Sequence, residues 1–140
     1  MDINITIENS GLSKEQKFIC LNIYNSLKTE LLNIINNIND DNINDTEILN
    51  NIVNIICVIV KYVEKIKINN KPLTGEEKKN IALEFGKIFI INEIQNNNLK
   101  QTILIIYDIS AESILENIIN VSKNINISPT KCNKWFSCLQ

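Results

Sequence analysis

Apolar residues recur every three to four positions through most of this 140-residue chain, and that spacing predicts packed helices. The first helix is expected over residues 13–38. Ser13-Lys-Glu-Gln16 has the form of a capping box, a hydroxyl acceptor followed three residues later by Gln. Leu21, Tyr24, Leu27, Leu31, Ile34, Ile35 and Ile38 then follow at helical spacing, and Asn39-Asp40-Asp41-Asn42 ends the pattern. A second helix is expected over 46–68. Residues 55–60 are apolar on every side, as in the central helix of a bundle. Their β-branching also suits a buried strand, but an apolar pattern of roughly twenty residues is too long for one, which favours helix. Asn69-Asn70-Lys71-Pro72 breaks the chain, and Thr74-Gly-Glu-Glu77 supplies a second capping box for a helix over 75–95. Two more helices are expected, over 99–109 and 111–126, with a boundary at 108–110. Residues 1–12 read as a loose lead in which alternating Ile3, Ile5 and Ile7 leave a short strand open. Residues 127–140 form a tail after Pro129. No Gly/Ser/Pro linker divides the chain and no repeat is evident. The expected architecture is therefore all-α, a single domain over 1–140 built as a bundle of about five helices.

Composition narrows what such a bundle does. The chain has no histidine, and its fourteen basic residues are all lysine. It thus lacks the side chain that titrates near neutrality and the planar fork that grips phosphates and guanine edges. Asparagine and isoleucine fill more than a third of the positions, the signature of AT-rich coding. Net charge is −2, which gives no electrostatic case for nucleic acid. Charge is uneven, however. Residues 1–60 are acid-rich, whereas 61–87 carry Lys61, Lys65, Lys67, Lys71, Lys78, Lys79 and Lys87 among four glutamates. The N-terminal residues are acidic and polar, unlike a signal peptide, and the unbroken apolar run 55–60 is far shorter than a spanning helix needs. The expectation is an intracellular protein, not secreted and without a transmembrane segment, with reduced cysteines.

Candidate chemistry is sparse. Cys20 and Cys57 fall inside apolar helical patterns and read as small core hydrophobes. Cys132 and Cys138 lack the knuckle spacing of a zinc site. The carboxylate pairs Asp40-Asp41, Glu76-Glu77 and Glu112 with Glu116 sit in helix starts or polar positions. Gly11, Gly75 and Gly86 form no phosphate-cradling loop. No catalytic residue, metal ligand or cofactor is expected. Lys131, Lys134, Trp135, Phe136 and Cys138 make a basic-aromatic cluster that either folds back over the bundle or seats at a membrane interface, with Cys132 and Cys138 as candidate lipidation sites.

The second half of the chain carries a further pattern. Val60-Lys61-Tyr-Val-Glu is followed by Pro72-Leu-Thr-Gly75-Glu-Glu-Lys78-Lys79, then by Asp108, Ile114, Ile118-Ile119, Val121-Ser-Lys123 and a cysteine-bearing terminus. Over about residues 59–138 this resembles small all-helical proteins of unassigned role encoded by large DNA viruses of the nucleocytoplasmic type, some of them packaged in virions. The resemblance implies a host-cytoplasmic or virion setting and supplies no site residues.

The expected function is a non-enzymatic protein–protein interaction module, virion-associated or host-directed. Its partner is another protein or a second copy of the chain as a homodimer. Lys71, Lys78, Lys79, Trp135 and Phe136 are the expected contact residues. The alternative is a peripheral membrane protein tethered through its tail.

Overall fold

Each long helix begins where a short polar side chain closes the first turn. Ser13 Oγ accepts from the Gln16 N–H at 3.2 Å, and Gln16 Oε1 accepts from the Ser13 N–H at 3.1 Å. Thr74 and Glu77 repeat this at 3.2 and 3.1 Å. Asn44 Oδ1 accepts from the Glu47 N–H at 2.9 Å, and Asn96 Oδ1 from the Leu99 N–H at 3.1 Å. The computed structural model describes residues 2–36, 44–68 and 70–125. Among them lie five helices: α1 (Ile3–Glu8), α2 (Lys14–Ile35), α3 (Asp45–Val63), α4 (Gly75–Glu93) and α5 (Asn97–Ile125). Two short strands, β1 (Lys67–Ile68) and β2 (Lys71–Pro72), pair antiparallel between α3 and α4. The protein is an all-α bundle.

The helix that is apolar on every side takes the centre. α2, α4 and α5 all pack on α3, and Ile52, Ile55, Ile56 and Ile59 are fully buried there. Taken whole, α3 is long and apolar enough to cross a membrane by length and composition. The six-residue run 55–60 understates it because Asn50, Asn51 and Asn54 interrupt the apolar stretch without adding charge. Phe85 and Phe89 of α4 fill the layer beside it, their ring centroids 6.2 Å apart.

The structure changes three expectations. Residues 3–8 are helical, neither loose nor extended. Ile3 and Ile7 are also an i, i+4 pair; Ile7 is buried and Ile3 packs on the core, while Asp2 caps the turn by accepting from the Asn4 N–H at 2.9 Å. The second helix, expected over 46–68, stops at Val63; Lys67–Ile68 and Lys71–Pro72 instead pair as a short hairpin, with Asn70 at φ 64 in the left-handed region that asparagine tolerates. The boundary at 108–110 is absent, and the two C-terminal helices are one element of 29 residues. Ser110 does not cap a new helix; its hydroxyl donates back to the Ile106 carbonyl at 2.6 Å. Asp108 points outward to Lys87 of α4 at 3.2 Å. No Gly or Pro lies within α5 to stop the helix.

Candidate interaction site

Phe18 is the most solvent-exposed aromatic ring among the described residues, at 67 %. The register of α2 explains why. Ile19, Ile23, Leu27 and Leu31 form the buried stripe, and Phe18 falls one position off it, on the face shared with Lys14 and Asn22. An exposed phenyl ring costs solvation without contributing to the core. A hollow of about 700 Å³ opens on one side of it, between the start of α2 and the end of α3. Its floor is Ile19, Ile66 and Tyr62, the last held by a 3.0 Å hydrogen bond to Ser26 Oγ. A second hollow, of about 440 Å³, opens on the α1 side over Ile7 and Leu21. Phe18 and Lys14 line both, so they form the ridge between the two halves of this groove.

The groove is rimmed by positive charge. Lys14, Lys65 and Lys67 line the larger hollow against one carboxylate, Glu15. Among the described residues no ion pair engages any of these three ammonium groups. Other lysines are satisfied within the fold. Lys17 donates to the Glu8 carbonyl at 2.8 Å, Lys78 reaches Glu64 at 2.9 Å, and Lys79 bridges Glu112 and Glu116, both at 2.8 Å. The Glu112 hydrogen bond, then that of Glu116, lifts the Lys79 ammonium above the usual lysine range.

These pairs place the sequence-predicted contact residues. Lys78 and Lys79 are half-buried ties from α4 to the end of α3 and to α5. Lys71 is exposed on β2, and no hydrogen bond or ion pair joins it to either. Trp135, Phe136, Cys132 and Cys138 lie outside the described residues. Phe18 carried a readable signal that the periodicity alone passes over: a large aromatic beside the apolar stripe, one turn after Lys14.

Other polar groups among the described residues bond within the fold. Cys20 is buried, and burial first, then the charge of Glu84, pushes its thiol up to about 12, which leaves it protonated and poorly nucleophilic. Tyr24 Oη donates to Glu93 Oε1 at 2.6 Å, and Asn92 Nδ2 donates to the same oxygen at 2.9 Å. Burial, followed by the Glu93 hydrogen bond, pushes the Tyr24 phenol up to about 12. This cluster ties α2 to α4 and leaves Asn92 Oδ1 without a hydrogen-bond partner among the described residues. Glu77 is consumed in its capping box, and Glu112 and Glu116 in holding Lys79. Among the described residues no set of His, Cys, Asp or Glu converges as metal ligands.

Neither a family model, a curated protein nor a solved structure matches the chain.

Proposed function

We propose that this chain is a non-enzymatic helical protein–protein interaction module, and that the groove around Phe18 takes an apolar, negatively charged segment of a partner. The carrying observation is one ring, Phe18, 67 % exposed between two hollows whose larger rim holds three lysines that no carboxylate pairs with among the described residues. An aromatic ridge with an apolar floor supplies affinity, and unpaired charge at the rim supplies selection and steering. Amphipathic helices dock into grooves of this kind through anchors spaced three to four residues apart. The absence of histidine, and the engagement of Glu77, Glu112 and Glu116 in structural bonds, support a non-catalytic role. The resemblance over residues 59–138 supports a virion-associated or host-directed setting. The tail-tethered membrane reading rests on residues 131–138, whereas the groove is built entirely from described ones.

Two synthetic amphipathic peptides with the same apolar face, one with Asp/Glu and one with Lys on its polar face, test the reading. The acidic peptide should shift the amide resonances of Phe18, Ile19, Tyr62 and Ile66, and Phe18→Ala should weaken it by roughly ten-fold, the order of one interface anchor. Equal binding of the two peptides, or shifts away from the groove, would overturn it. Flotation with anionic vesicles of the full chain against one ending at Ser128 tests the membrane alternative.

A further inference from the structure

Among the described residues, two exposed apolar surfaces carry opposite charge. One is the groove around Phe18, where Lys14, Lys65 and Lys67 face the single carboxylate of Glu15. The other lies on α5. Ile103, Tyr107, Ala111 and Leu115 are the buried stripe of that helix, which turns Ile105 and Ile109 outward, 61 % and 77 % exposed. The two isoleucines are an i, i+4 pair, about 6 Å apart along the axis. Carboxylates flank them: Asp108 precedes Ile109, and Glu112 and Glu116 follow on the next two turns, all three more than half exposed. Lys87 answers Asp108, but Glu112 and Glu116 share the one ammonium of Lys79, so this face keeps a surplus of negative charge. Residues 105–116 therefore offer what the groove selects, aliphatic anchors one turn apart on a helix with carboxylates beside them.

This face cannot fill the groove of its own molecule. α5 packs on α3 and α4 through its buried stripe, so Ile105 and Ile109 point away from the bundle. Other described surfaces fit less well. Leu49, near Asp45 and Glu47 at the start of α3, is a single anchor and only 38 % exposed. Ile5 on α1 is likewise a lone exposed aliphatic side chain. A second groove laid against the first would bring lysine to lysine.

We propose that the groove around Phe18 receives the Ile105–Ile109 face of α5 from a second copy of this chain, joining molecules head to tail. The proposal rests on the groove being the contact site and names its partner. The two anchors meet two hollows, one on either side of the Phe18 ridge. The surfaces in such a contact differ, so it is heterologous: each added molecule presents a fresh groove or a fresh α5 face. Assembly grows into a ring if the rotation closes and a filament if it does not. The contact is electrostatically steered and salt-sensitive, because the screening length shrinks from about 10 Å at 0.1 M to about 3 Å at 1 M salt.

Sedimentation velocity of the full chain over a concentration series should give mass that grows past the dimer and falls at high salt. Two variants isolate the surfaces. Phe18→Ala with Lys65→Gln and Lys67→Gln disables the groove. Ile105→Gln with Ile109→Gln disables the α5 face at exposed positions and keeps good helix formers there. Each variant alone should associate more weakly by roughly ten-fold or more. Mixed in equal amounts they retain one working surface each, and should form a 1:1 complex that stops at two molecules. Recovery on mixing also demonstrates that both variants are folded. A wild-type chain that stays monomeric at every concentration overturns the proposal, while acidic-peptide binding at Phe18 would still stand. Association lost with the groove substitutions but untouched by those on α5 overturns it too, and gives the groove another occupant. Association that survives the groove substitutions assigns assembly to another face.

Discussion

Gly86 on α4 faces the Tyr107 ring of α5 so closely that a Cβ at Gly86 would overlap the phenol oxygen and come within 3.0 Å of the ring carbon bearing it. Tyr107 has no room to retreat. It is 3 % exposed, and its hydroxyl donates to the Leu83 carbonyl at 2.7 Å, three residues before Gly86. The missing side chain lets two helices approach at the point where a buried hydroxyl needs an acceptor. Two effects compete when alanine is placed there. Helix propensity favours Ala over Gly by about 1 kcal/mol. Overpacking a fixed ring typically costs about 1–3 kcal/mol, and the Leu83 hydrogen bond is strained as well. Gly86→Ala should therefore destabilise the protein by about 1–2 kcal/mol in urea unfolding. Tyr107→Phe in the same chain should recover part of the loss, since the phenol oxygen is the atom met first. A stabilised Gly86→Ala variant would mean that the helices are free to separate here.

Tyr24 predicts how the fold answers alkali. An unfolded tyrosine ionises near pH 10. In the bundle, burial and then the bond to Glu93 hold the phenol protonated up to about 12. Between these values the unfolded chain releases a proton that the folded chain keeps, so alkali favours unfolding. The stabilisation is complete below pH 10 and is lost as pH rises through about 12. Urea midpoints should fall across that window, and Tyr24→Phe should flatten part of the slope. Tyr107, raised in the same direction chiefly by burial, accounts for another part, so the double variant should flatten it further.

The parts of this fold legible in the chain are those written in local chemistry. Ser13 with Gln16 and Thr74 with Glu77 name two helix starts, and both boxes are closed in the structure. The central place of α3 follows from residues apolar on every side. The α1 segment was ambiguous because Ile3, Ile5 and Ile7 satisfy both a two-residue and a four-residue repeat over so short a stretch. Only packing against α2 and α4 decides between them. The groove was not legible for a different reason. Phe18 lies on α2 whereas Ile66 and Lys67 lie just past the end of α3, and what makes them a site is that α2 and α3 run antiparallel. The same holds for Lys79, whose charge reads as a solvated face until Glu112 and Glu116 are brought opposite it.

Cys20 predicts chemical silence. Its thiol is fully buried and pushed up to about 12, so thiolate is scarce at neutral pH and reagent has no path to the sulfur. In a chain with Cys57→Ala, Cys132→Ser and Cys138→Ser, Ellman's reagent should label Cys20 only as fast as the protein opens. Labelling should accelerate steeply on adding urea below the unfolding midpoint. Stoichiometric reaction within seconds in native buffer would place Cys20 at a surface.

Ala111 separates one long helix from two. If a helix ended near Ile109 and another began at Ser110, Ala111 would be the first residue of the second, a position where proline is favoured. In the continuous α5 the same residue is interior: its N–H bonds within the helix, its Cβ is buried at 3 % exposure, and a proline ring there meets the carbonyl one turn back. Ala111→Pro should then cost about 3 kcal/mol or more. The loss should reach beyond the site, because Tyr107 and Leu115 lie one turn to either side and both are buried. Amide exchange should quicken across residues 103–119, and the Lys87–Asp108 and Lys79–Glu116 pairs should no longer share one rigid helix. Full stability of Ala111→Pro, with exchange unchanged on both sides, would restore the boundary at 108–110.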